Sequence, residues 1–197
     1  MLRTSSILLS LLLAFASGAQ ATTINASAFV APTVIDFQTA PSGMINNFYA
    51  SLGVTLVNLE GGNTYSTSAA PASLTATNFS SGYPAGEFLF SSAQTRFGVD
   101  ITTNGGDNTT IFAYLGNVLV GSEFFVTGGG GGSGSFAGVE FLSGFDRIVI
   151  DPQNNVNGAM AIDNARFEGT PVPEPTSIAL LGVALAGFGA ARRRNSK

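Results

Sequence analysis

The chain has 197 residues, a formal net charge of −4, no cysteine and no histidine, and its mean hydropathy is +0.32. The two missing residue types exclude disulfides, thiol nucleophiles, Ser-His-Asp triads and zinc sites built from Cys and His, leaving carboxylate chemistry and hard cations held by oxygen. Only Arg96, Arg147 and Arg166 lie in residues 22–171, against eleven of the twelve acids, so that stretch carries −8 and no lysine. Affinity for a phosphate backbone comes from Lys and Arg, which excludes nucleic acid as a partner.

At the N-terminus Arg3 supplies a positive charge, Ile7 to Phe15 an apolar run, and Ala19-Gln20-Ala21 a small-x-small cleavage site. This pattern reads as a signal peptide over residues 1–21, a helix that directs Sec export and is removed by signal peptidase after Ala21. Residues 22–171 then form one domain, large enough for a core. With an apolar segment at each end, the positive hydropathy does not make this middle a membrane domain.

Gly, Ser, Thr and Asn punctuate short apolar clusters rich in β-branched and aromatic residues, a spacing that predicts an antiparallel all-β sandwich. The expected strands are Thr33–Phe37, Val54–Leu59, Glu87–Phe90, Thr95–Ile101, Thr110–Leu115, Val118–Val126, Ser135–Phe141, Arg147–Ile150 and Ala159–Phe167. Alternation places Phe97, Val99 and Ile101 on one face and Arg96, Gly98 and Asp100 on the other. Gly116-Asn117 joins two of these strands in a two-residue hairpin turn that tolerates positive φ at both positions. Gly61 to Pro84 reads as a polar loop, and the glycine-rich run 128–134 as an exposed loop. No lysine or helical pattern follows that run, so it is not a phosphate-binding loop.

Asp36 and Asp163-Asn164 interrupt apolar strands at the two ends of the domain, where an unsatisfied carboxylate is costly. Either they cap backbone amides or pair with Arg166 or Arg147, or, with nearby carbonyls, they supply ligands for a structural Ca²⁺. Asp100, Asn104, Asp107 and Asn108 form a second acidic stretch, which reads better as a solvated turn than as an ion site. Glu87, Glu123 and Glu140 are the acids from which a glycosidase pair would have to be drawn. For sugar binding, Tyr65 and Tyr83 lie in the polar stretch beside Asn63 and Asn78, a stacking ring next to groups that read hydroxyls. Most of the sixteen phenylalanines fall at core-facing positions. Ice binding needs a long regular Thr array, and only Thr75-Ala76-Thr77 has that spacing.

At the C-terminus, Pro173-Glu174-Pro175 precedes the apolar run Ile178 to Ala191 and the cluster Arg192-Arg193-Arg194. The run is about 14 residues, short against the roughly 20 of a full membrane helix, and the arginines would keep its end on the cytoplasmic side. Residues 172–197, from Val172-Pro173-Glu174-Pro175-Thr176-Ser177 through the glycine-containing helix to the arginines, resemble the PEP-CTERM sorting signal of Gram-negative bacteria. The resemblance implies a single short transmembrane helix, recognition by an exosortase (a membrane protease-transferase), and an inner-membrane intermediate that ends at the cell surface or outside the cell. That tail domain is also sometimes labelled as the C-terminal domain of ice-binding proteins.

The middle, through Val34-Ile35-Asp36-Phe37, Leu52-Gly53-Val54-Thr55-Leu56, Arg96 to Ile101 and Gly158 to Phe167, resembles the jelly-roll β-sandwiches found upstream of such tails. These are similar to bacterial carbohydrate-binding modules. The function expected on these grounds is that of a non-enzymatic exported surface or matrix protein associated with exopolysaccharide or biofilm. A carbohydrate-binding module is the alternative, ahead of an ice-binding protein or a carboxylate glycosidase.

Overall fold

A computed structural model describes residues 21–65, 73–77, 84–103, 108–127, 135–153 and 160–169. The signal helix with Ala19, the glycine run at 128–134 and the whole sorting tail with its expected membrane helix lie outside these residues. Among the described residues, no helix is long and apolar enough to cross a membrane.

Eleven strands follow one another: β1 (Thr22–Thr23), β2 (Thr33–Ile35), β3 (Gly43–Met44), β4 (Val54–Val57), β5 (Glu60–Tyr65), β6 (Ser73–Thr77), β7 (Gly86–Thr103), β8 (Asn108–Leu115), β9 (Val118–Val126), β10 (Ser135–Gln153) and β11 (Met160–Glu168). Short 3₁₀ turns occupy Ala26–Ala28 and Ala50–Leu52. The strands form one antiparallel sheet along the path β3-β5-β6-β11-β7-β10-β8-β9, with β1 on β10, β2 on β11 and β4 on β7.

The expected all-β antiparallel architecture is present, but two pairs of expected strands are fused. Glu87–Phe90 and Thr95–Ile101 are parts of the 18-residue β7, while Ser135–Phe141 and Arg147–Ile150 are parts of the 19-residue β10. Polar residues such as Ser91 and Ser92 and the irregular Ser143-Gly144 looked like turns; they lie instead where the strands bend. Register shifts between Glu140 and Phe145 and between Phe145 and Arg147 mark the bend in β10, where extra residues increase twist and redirect a strand. One half of β7 pairs with β4 and the other with β11. Both long strands therefore serve two sheet portions.

The core gathers rings from both portions. Phe88 meets Phe97 edge-on at 5.0 Å between centroids, and Phe90 lies 5.8 Å from Phe145 and 5.0 Å from Phe167. Each such buried side chain stabilises the fold by roughly 1.5–3 kcal/mol. Phe97, Val99 and Ile101 are fully buried, as alternation requires. Their neighbours on the other face are covered as well. Gly98 pairs with Gly138, and the Phe136 ring lies against them; a Cβ at Gly98 would stand 2.4 Å from Phe136 Cζ. Phe29, from the segment after β1, completes this outer layer against Phe136.

The β8–β9 hairpin has the expected register, Leu115 opposite Val118. Of its two turn residues only Gly116 takes positive φ, at 60°. Both carboxylate oxygens of Asp146 accept from the Gly116 amide at 2.9 Å. The stretch expected to be a polar loop instead contains β5 and β6. β6 pairs with β11, with Ala76 and Thr77 fully buried. Thr forms a strand here without the apolar alternation that announces one, because β-branched residues fit a pleated surface and β5 and β11 pair with it on either side.

Candidate functional site

β2 pairs with β11, with Ala165 opposite Ile35, so that Asp36 and Asn164 each adjoin that pair in sequence. Asp36 is exposed and its Oδ1 accepts from the Gln38 amide at 3.2 Å. Asp163 is buried, and its Oδ1 accepts from the Asn164 amide at 2.8 Å. Asn164 sits at φ 48° in a bulge of β11 against β7. There its Nδ2 donates to Asp100 Oδ2 at 2.9 Å, and Arg166 Nη2 lies 3.8 Å from that same oxygen. Backbone capping is thus present at both predicted acids, and the arginine pairing falls on Asp100. Asp100 itself belongs to no acidic loop: it lies inside β7, 5% exposed, while Asn108 opens β8 and Asn104 and Asp107 lie outside the described residues.

Tyr49 completes this corner. Its ring meets Phe37 and Phe48 edge-on at 5.6 and 4.9 Å, and its hydroxyl is buried with no hydrogen-bond partner among the described residues. Burial, with Asp36 and Asp163 nearby, pushes the phenol up to about 12. Among the described residues no group of three or more acidic side chains is gathered as a metal would require.

The glutamates named as possible acid/base residues are held by different partners. Glu87 faces Arg147 at 3.6 Å, Glu123 accepts from Thr23 Oγ1 at 3.0 Å, and Glu140 receives Arg96 Nε at 2.7 Å. Of the expected sugar-binding residues, Asn63 and Tyr65 lie on β5 opposite Thr75 and Ser73. Their side chains, and Tyr83 and Asn78 entirely, are outside the described residues. Tyr114 was not among those expectations; the Arg147 guanidinium covers one face of its ring, 4.1 Å from the centroid.

A second arrangement escaped the sequence. Arg96 joins Glu140 and Glu168, and also donates to the Ala28 carbonyl at 3.0 Å. Glu168 accepts from the Val30 and Ala31 amides at 3.2 and 3.1 Å, which ties the segment after β1 to the last strand. Burial alone would raise the Glu168 carboxyl; the amides of Ala31 and Val30 and the Arg96 charge outweigh it and hold the group below its usual range. The Glu140 hydrogen bond is the chief reason the Arg96 guanidinium is raised. These groups border a cleft of about 570 Å³ that also involves Gln94, Thr33 and Phe167. The volume suits a small ligand, but its two charged groups are committed to holding the chain. Only the register, Glu168 and Glu140 each opposite Arg96, brings the three together, and no spacing in the sequence carries that register.

Residues 171–194, beyond the last described residue, Gly169, match the PEP-CTERM protein-sorting motif. The chain therefore carries a sorting signal, which implies an exported, surface-directed protein processed by exosortase. Among solved structures, two cleaved adhesin domains of Lys-gingipain are similar to this chain. One is 14% identical over 70% of this chain; the other, from Porphyromonas gingivalis, is 10% identical over 72%. In both cases 99% of the adhesin domain is covered with a TM-score of 0.46. Likeness of that degree carries no argument about function. No curated protein matches the sequence.

Proposed function

We propose that this chain is a non-enzymatic surface or matrix protein of a Gram-negative bacterium, a jelly-roll-type domain held briefly at the inner membrane by residues 172–197 and then delivered to an exopolysaccharide layer. The observation that carries the reading is the match of residues 171–194 to the sorting motif. Pro173, Glu174 and Pro175 form its recognition element, and Arg192, Arg193 and Arg194 retain its far end in the cytoplasm. Replacing Pro173-Glu174-Pro175 with three alanines should block processing, leaving a protein heavier by the uncut tail and confined to the membrane. An unchanged mass and location would overturn the sorting reading.

The second reading is a carbohydrate-binding module. It is favoured by the position of Asn63 and Tyr65 on the β5–β6 hairpin, at the margin of the sheet, with a structural Ca²⁺ at Asp36, Asp163 and Asn164 as its calcium-dependent form. The Tyr49 hydroxyl, which has no hydrogen-bond partner among the described residues and lies near Asp36 and Asp163, is what favours the ion. A glycan array with and without chelator decides: binding lost in chelator supports the ion-dependent form, and no binding in either condition removes the module.

A further inference from the structure

β9 is the last strand on the path through the sheet, and among the described residues it pairs with β8 alone. Its outer edge therefore offers a row of backbone donors and acceptors about 30 Å long. Natural edges of this kind are normally guarded by lysine, proline or outward charge. β9 has none of these. Its sequence is Val118-Leu119-Val120-Gly121-Ser122-Glu123-Phe124-Phe125-Val126, and Val118, Leu119, Phe124 and Val126 are 69, 50, 55 and 71% exposed. Its one charge, Glu123, stands opposite the buried Ile111, so it shares the inward face, and Thr23 holds it there.

The pattern on this strand is symmetric: three apolar residues, three small or polar ones, three apolar ones, with Ser122 at the centre. A two-fold dimer requires such self-complementarity, because each residue before the axis meets one the same distance after it. We propose that β9 is a homotypic interface, at which two copies of this chain pair antiparallel with Ser122 on the two-fold axis. Ser122 then faces its own copy, and Glu123 faces Gly121 rather than another carboxylate. Val120 is the extra residue of a bulge, since the register steps from Gly121 opposite Ala113 to Leu119 opposite Tyr114. Counted across that bulge, Phe124 of each copy falls beside Leu119 of the other, exposed apolar surface against exposed apolar surface.

Charge also selects this edge. Residues 22–171 carry −8, so two copies repel over most of their surface, whereas the β9 edge turns no charge outward. One strand buries less than the roughly 800 Å² per partner of a standard interface. The dimer is therefore expected to be weak, with a dissociation constant on the order of micromolar, and to tighten as salt screens the repulsion.

The absence of cysteine in the chain gives a clean test. The exported protein, in the form its host secretes, carrying Ser122→Cys should form a disulfide-linked dimer under mild oxidation, since residues opposed across an antiparallel pair place their Cα atoms about 4.5–5.5 Å apart. Unmodified protein should show a mass that rises toward the dimer between about 1 and 200 µM in sedimentation equilibrium. Ser122→Lys, at an exposed position where folding is checked by circular dichroism, should weaken association at least about tenfold. A monomer throughout that range overturns the proposal. So does a dimer that Ser122→Lys leaves intact, or a Ser122→Cys protein that associates without cross-linking.

Discussion

Glu168 is the sharpest place to test the architecture, because one carboxylate joins the segment after β1, the arginine of β7 and the end of the last strand. Glu168→Ala removes the acceptor for the Val30 and Ala31 amides, at 3.2 and 3.1 Å, and one of the two carboxylates on Arg96. A hydrogen bond to a charged group contributes about 1.5–3 kcal/mol when buried. Both amides lie at the exposed margin, so the low end applies and the summed loss is about 2–3 kcal/mol. For a chain of this length that lowers Tm by roughly 4–12 °C. Glu168→Gln keeps an acceptor oxygen and should fall between the two.

The sign with pH follows from the lowered Glu168 carboxyl. Its contribution is present above the unfolded value of 4.5 and is lost as pH falls through the folded value, so wild type and Glu168→Ala should converge in acid. Thermal unfolding by circular dichroism, with hydrogen exchange at Val30 and Ala31, measures both effects. If Tm moves by less than about 1 °C at pH 7 and the two amides stay protected, the clamp is not what holds that segment.

Gly98→Ala should destabilise by about 1–3 kcal/mol through overpacking, since the new methyl would stand 2.4 Å from Phe136 Cζ; urea unfolding reads this, and Phe136→Leu in the same chain should recover part of it. Tyr49 carries an alkaline dependence. Its phenol, raised from 10.0 to about 12, contributes stability that is complete below pH 10 and lost as pH rises toward 12, in all on the order of 3 kcal/mol. Tyr49→Phe should abolish that dependence and lose little at neutral pH, because the hydroxyl has no partner among the described residues. An alkaline transition of the same size in Tyr49→Phe would assign it to another group.

Strands with clean apolar alternation were legible in the sequence. Phe97, Val99 and Ile101 take the expected face, since a period of two is a local property of the chain, and Val118–Val126 has the expected bounds because its turn at Gly116-Asn117 is local too. Continuity through a bend is not local. The breaks between the expected strands, at 91–94 and 142–146, read as turns because nothing nearby reveals that β4, β8 and β11 will hold both sides of each bend. β5 and β6 were missed for a related reason: Gly, Asn, Thr and Ser dominate them, and β6, on which β5 pairs, is joined to the sheet by β11, far along the chain. At the candidate corner, sequence singled out Asp36, Asp163 and Asn164 because acids among Ile and Phe are costly, and β2 beside β11 brings them near one another. Asp100 and Tyr49 were missed. Asp100 was assigned to the turn that follows it in sequence, and Tyr49 gives no sign of a buried hydroxyl.

β11 lies inside the sheet, with β2 and β6 on one side and β7 on the other. An interior strand at the end of a domain sets the timing of its folding. Until Met160–Glu168 is in place, β7 lacks its neighbour on one side, β2 has no partner strand and β6 is joined to β5 alone, so the sheet stays divided between β6 and β7. About nine residues separate the end of β11 from Ile178, a reach of about 30 Å when extended. In the proposed sorting route, where the apolar run is held in the bilayer, that length would let β11 dock before the tether is cut.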